Sequence, residues 1–159
     1  MRYIVMGKKI ICFIFCFSLV MNSFGQDMYT EKIKWEEHVE SITCSDTCDI
    51  ISKEQQRYHF KLHFHKKLLI TGNQSFYCVF VPFGSGIPWW SISVYKKNEN
   101  NWNLAARGTV VRPVALTARI SSNNDKILFF TDNSYASKTA VEVNDEVEIG
   151  ELSLTDLQH

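Results

Sequence analysis

From residue 57 onward, apolar residues recur at every second position in short runs, and polar turn-forming stretches separate those runs. A period of two places successive side chains on opposite faces of a strand. In "RYHFKLHF", Tyr58, Phe60, Leu62 and Phe64 fall on one face, and His59, Lys61 and His63 fall on the other, followed by His65. "KLLIT" continues the strand past a bend, and "GNQS" supplies a turn. "FYCVFVP" is apolar on both faces and reads as a central strand that Pro82 ends, because proline cannot donate to a ladder.

The next two runs, "WWSISVYKK" and "WNLAARGTVV", are joined by "NENN" and predict a hairpin. Alternation puts Trp90, Ile92 and Val94 on one face, with Trp89, Ser91, Ser93 and Tyr95 on the other. In the returning strand it groups Trp102, Leu104 and Ala106. "VALTARI", "KILFFT", "AVEVN" and "EVEIGELSL" supply the remaining strands. No segment of helix length separates them, which argues against a parallel sheet. The expectation is an all-β chain, or a mainly β chain with one short N-terminal helix, folded as an antiparallel sandwich or barrel of seven to eight strands.

Residues 1–56 have a different character. "MRYIVMGKK" is basic, "IICFIFCFSLVM" is an unbroken apolar run, and "NSFGQ" offers small residues at Ser23 and Gly25. That order is the pattern of a secretory signal peptide over residues 1–25, with cleavage near Gly25. The apolar run is shorter than the roughly 20 residues a membrane span needs, so no stable span is expected after cleavage. Residues 26–56 form an N-terminal segment ahead of an antiparallel β domain at 57–159, the two making one globular unit. Trp35, Val39 and Ile42 have helical spacing, which predicts a short helix within residues 28–43.

Cysteine usage agrees with export. Cys12 and Cys16 leave with the signal, while "CSDTC" predicts a Cys44–Cys48 disulfide closing a short loop and Cys78 is expected as a buried thiol. The full chain has 17 basic and 17 acidic residues. Loss of Arg2, Lys8 and Lys9 leaves a net charge of about −3, which does not suggest a nucleic-acid partner. The centre of the chain is basic and its two flanks are acidic, so opposite charges are expected to pair across a sheet.

Few residues carry the signature of chemistry. His63 and His65 are two apart, and on a strand both would project from one face, which makes a zinc half-site that lacks a third ligand. Lys61, Lys66 and Lys67 crowd that face and disfavour a cation. Trp89, Ser91 and Tyr95 offer a mixed aromatic and hydroxyl surface suited to contact with a partner. "FGSGIPWW" has neither the ending of a phosphate loop nor the spacing of a nucleophile elbow.

The functional expectation is an exported, non-enzymatic binding protein, secreted, periplasmic or held in the cell envelope. Like an inhibitor or immunity protein, it would occlude an exported protein, or it would bind an envelope polymer, through Trp89, Ser91, Tyr95, Lys61, His63 and His65. The alternatives are a metal-dependent hydrolase on His63 and His65, and a carbohydrate-binding module on Trp89 and Tyr95.

Overall fold

Past residue 64 the two-residue period is realised as strand. The computed structural model describes residues 32–59, 64–83, 89–111, 116–132 and 146–158. Strands β1 (Lys34–Trp35) and β2 (Thr43–Cys44) precede helix α1 (Thr47–Tyr58). Then follow β3 (His65–Thr71), β4 (Gln74–Phe83), β5 (Trp89–Asn98), β6 (Asn101–Val111), β7 (Leu116–Ile120), β8 (Lys126–Asp132) and β9 (Glu146–Ser153), with a final 3₁₀ turn at Asp156–Gln158.

Strands β3 to β6 run as an antiparallel meander. Gly72, at φ 57°, makes the tight turn between β3 and β4, in the left-handed region that glycine reaches without a Cβ clash. The two short strands share the far edge of β6: β1 pairs at Gly108 and Thr109, and β2 at Trp102 and Asn103. A second antiparallel sheet has the order β7-β8-β9. The sheets do not close into a barrel. Nine strands and one helix are thus present among the described residues, and the mainly β, antiparallel expectation holds in its sandwich form.

The large sheet is covered on both faces. Phe76, Phe80, Ile92 and Val94 pack against Ile127, Phe129 and Ile149 of the second sheet. On the opposite face, Tyr77, Val79, Tyr95 and Trp102 cluster with Ile50 of α1. This double burial is why "FYCVFV" is apolar throughout and not alternating. Across the second sheet, Arg119 bonds Glu146 and Lys126 bonds Glu151, each at 3.0 Å; the first joins the basic centre of the chain to its acidic C-terminal flank across β8, and the second lies within that flank.

Three expectations are corrected. First, residues 32–43 contain no helix. Ile33 donates its N–H to the Ile149 carbonyl at 2.9 Å, and the Trp35 ring packs 5.2 Å from Phe129. These long-range contacts override the helical spacing of Trp35, Val39 and Ile42. Second, the helix lies later, where the sequence suggested a cysteine loop. Asp46 caps it, accepting from the Asp49 N–H at 2.8 Å, while Asp49 accepts from the Ser45 N–H at 2.9 Å. It runs through Tyr58 and ends at His59, whose φ of 53° is a left-handed C-cap. The strand expected to begin at residue 57 therefore begins at His65, and residues 60–63 lie outside the described residues.

Third, β6 does not keep one alternation. A bulge opposite Val94 and Tyr95 places Ala105 out of register. One extra residue exchanges the two faces of a strand. Trp102 and Leu104 therefore point to the helix side, and Ala106 and Val110 point to the second sheet. Trp102 packs 5.9 Å from Tyr77 and not beside Trp90. The expected strand "AVEVN" and residues 1–31 lie outside the described residues.

Gly108 seats β1. A Cβ there would stand 2.7 Å from both Ile33 Cγ2 and Trp35 Cε3. Gly108→Ala should lower the unfolding free energy by about 1–3 kcal/mol through this overpacking. Urea unfolding checks it, and an unchanged midpoint would mean that the 33–35 segment is not seated on β6.

Candidate functional site

After the bulge, alternation turns residue 107 toward α1, and that residue is an arginine. Arg107 is only 2% exposed. Its Nη2 lies 3.2 Å from Glu54 Oε1, its Nε donates to Ser93 Oγ at 3.3 Å, and its Nη1 lies 3.4 Å from Glu40 Oε1. Glu54 projects from the inner face of α1, one turn after Ile50, and is 1% exposed. The Tyr95 hydroxyl donates to the same Glu54 oxygen at 2.6 Å. A turn later, Tyr58 accepts from the Ser91 hydroxyl at 2.7 Å. The two inward polar residues of the helix, Glu54 and Tyr58, thus each meet a polar partner on β5 or β6.

Electrostatics explain why such a cluster persists out of water. Burial disfavours the Arg107 charge more than any single neighbour favours it, but the Glu54 carboxylate together with Tyr58 and Tyr95 outweighs burial and pushes the pKa up. Burial raises the Tyr95 pKa, and the Glu54 charge and hydrogen bond raise it further. Glu54 Oε2 is buried and, among the described residues, has no hydrogen-bond partner. At the periphery, Arg57 of α1 bonds Glu40 at 2.9 Å. Between α1 and the irregular segment before β2 lies an open cleft of about 670 Å³. Glu40, Ser41, Ile42 and Thr43 form one wall, Lys53, Glu54, Gln56 and Arg57 form the other, and Arg107 lies between them.

The residues singled out from sequence do not form one surface. Ser91 and Tyr95 are 1% and 0% exposed, because α1 covers their face of β5. This removes them from any contact surface and separates Tyr95 from Trp89 as a platform for a sugar ring. Trp89, at the first position of β5, remains 39% exposed. His65 is exposed and stacks on the Trp90 ring, with centroids 5.7 Å apart. Since Trp90 belongs to the inter-sheet core, His65 and Trp89 stand on opposite sides of the large sheet. Lys61 and His63 lie outside the described residues. Among the described residues, no three His, Cys, Asp or Glu side chains are grouped to hold a metal ion.

Nor is the Cys44–Cys48 disulfide formed. Cys44 turns inward from β2 into the cluster beneath the helix, and Cys48 faces solvent on the first turn of α1. Cys78 is buried, as expected, and burial pushes its thiol up to about 12.

Two outcomes follow. Arg107→Met alone should cost about 3–5 kcal/mol, because it strands a buried carboxylate, whereas Arg107→Met with Glu54→Leu should recover most of that loss. Strictly additive losses in urea unfolding would show that the pair is not coupled. The second outcome concerns alkaline pH. The ordinary values are 9.0 for Cys78 and 10.0 for Tyr95, and both are raised in the fold. Above those values the unfolded chain ionises while the fold keeps the groups neutral. These two groups should therefore leave stability unchanged below pH ~9, and each should lower it by up to ~1.4 kcal/mol per pH unit above its unfolded value. Cys78→Ala should lessen the slope between about pH 9 and 10, leaving the part due to Cys44, whose burial also raises its pKa, and an unchanged slope would place its source elsewhere.

No protein-family model, curated protein or solved structure matches this chain, so its function is read from its own geometry.

Proposed function

We propose that this chain is an exported, non-enzymatic binding protein that occludes a protein partner with the helix-bearing face of its large sheet. One observation carries the reading. Among the described residues, the exposed large hydrophobic side chains are Leu68 at 51%, Ile70 at 65% and Trp89 at 39%, and all three lie on that face. Leu68 pairs directly with Tyr77, which packs in the cluster beneath α1, and Ile70 is two residues further along the same face. Trp89 alternates with Ser91, which bonds Tyr58 of α1.

Geometry accounts for the exposure. A helix about 10 Å wide spans roughly two strand spacings of ~4.8 Å. Helix α1 covers β4, β5 and β6 and leaves the edge strand β3 bare on that side. The result is a shelf of Leu68 and Ile70 beside the helix. Lys66 shares its face, Lys67 lies next to it, and β3 carries no acidic residue. An apolar ridge flanked by carboxylates is the complementary surface, and it points to an exported protein as the partner. The signal-like first 25 residues support an encounter in the cell envelope or outside the cell.

The test compares proteins captured from an envelope extract by the mature chain and by two variants, Leu68→Asp with Ile70→Asp, and Trp89→Ala. The reading expects one stoichiometric partner to be retained by the wild type and lost from the double variant. Trp89→Ala should weaken capture, with all thermal midpoints within a few degrees. Equal capture by all three chains, or no stoichiometric partner at all, would overturn it. If a variant unfolds, Leu68→Ser with Ile70→Ser serves in its place.

A further inference from the structure

The cleft beside α1 contains a polar arrangement that the protein's own groups leave incomplete. Glu54 is buried, Tyr95 and Arg107 both bond its Oε1, and its Oε2 has no donor among the described residues. A buried carboxylate oxygen is an unfavourable thing to leave unpaired. On the other side of Arg107, two guanidiniums converge on a single oxygen, Glu40 Oε1, Arg57 at 2.9 Å and Arg107 at 3.4 Å. Guanidinium forks are suited to both oxygens of a carboxylate, so one shared oxygen satisfies them poorly. Glu40 itself is 52% exposed and sits on a segment with no regular structure. Its side chain can swing into solvent without disturbing the sheet or the helix.

We propose that the cleft binds a small zwitterion of the amino-acid or short-peptide class. Its carboxylate replaces the Glu40 side chain against Arg57 and Arg107, and its ammonium donates to Glu54 Oε2, an oxygen closed to solvent while Glu40 is in place and reached only once Glu40 has swung out. Lys53 lines the same cleft and adds positive charge near the carboxylate. The volume, about 670 Å³, falls within the usual range for small-ligand sites. Glu40 acts as an internal placeholder that keeps the guanidiniums paired until the ligand displaces it. The site does not rest on the protein-binding reading and uses none of Leu68, Ile70 or Trp89.

The experiment titrates the mature chain with glycylglycine, and separately with acetate and with methylammonium, by calorimetry and by amide chemical shifts. Glu40→Ala and Arg57→Ala are titrated alongside. Both sites are partly exposed, and thermal midpoints report whether the variants fold. Saturable binding of glycylglycine is expected, with each half-ligand weaker. Glu40→Ala should bind about tenfold more tightly and Arg57→Ala about tenfold more weakly, the scale of one charge-assisted hydrogen bond. A purely structural role for Glu40 would not raise affinity. Absence of binding to both wild type and Glu40→Ala overturns the proposal. So does acetate binding as tightly as the dipeptide, or a Glu40→Ala affinity equal to that of the wild type.

Discussion

The ion pair between Arg107 and Glu54 is the interaction on which the helix-bearing half of the molecule depends. An arginine and a glutamate, each almost fully buried, are placed where a sandwich would ordinarily put leucines. Neither tolerates that position alone, because an unpaired charge in a protein interior is strongly unfavourable. Together they fix the azimuth of α1 over the sheet. Tyr95 and Ser93 add a hydrogen bond to Glu54 and to Arg107 respectively and leave the pair little freedom to rearrange. An apolar interface could slide by a residue and still bury its area, whereas this one is held to a single register.

That constraint originates in one backbone irregularity. Without the bulge at Ala105, strict alternation would put Ala106 and Val110 on the helix side with Trp102 and Leu104 and turn Arg107 toward the second sheet, and the inter-sheet core would lose its contribution from β6. With it, a single strand serves two cores, the first half packing beneath the helix and the second beneath the other sheet. Gly108, in the second half, allows β1 to approach, and β1 leads into the hydrogen bond from Ile33 to Ile149 that ties the two sheets at that edge. The cleft and the Leu68–Ile70 shelf are both consequences of what one helix can and cannot cover.

Much of the β architecture was legible, and the reasons for the misses are specific. The runs "FYCVFVP", "WWSISVYKK", "VALTARI", "KILFFT" and "EVEIGELSL" all contain strands, because their apolar spacing and their polar turns agree. The helix escaped notice because its inward positions, Ile50, Glu54 and Tyr58, include a charged residue, which breaks the apolar stripe. Its one clear signal was the Asp46-x-x-Asp49 capping pattern. "YHFKLHFH" misled in the opposite sense. Its alternation is regular, yet its first residue closes a helix, its second is that helix's left-handed cap and its last opens β3. The candidate site was invisible for a related reason. Nothing in "LAARGTV" marks an arginine as buried, and Glu54 reads as an ordinary surface residue of a polar stretch.

Local pattern, then, by itself determined that this chain is rich in antiparallel strands, where most of them run, where they turn, and that Cys78 is buried. Those are properties of a few consecutive residues, since strand alternation and turn chemistry act over two to six positions. Only the tertiary structure decided which face of each strand is inside, where the helix lies, and that Ser91 and Tyr95 are covered while Leu68 and Ile70 are not. The physical reason is that a strand has two faces of equal local standing. Which one meets water depends on layers supplied from elsewhere in the chain, and here a helix covers one face of the large sheet and a second sheet the other.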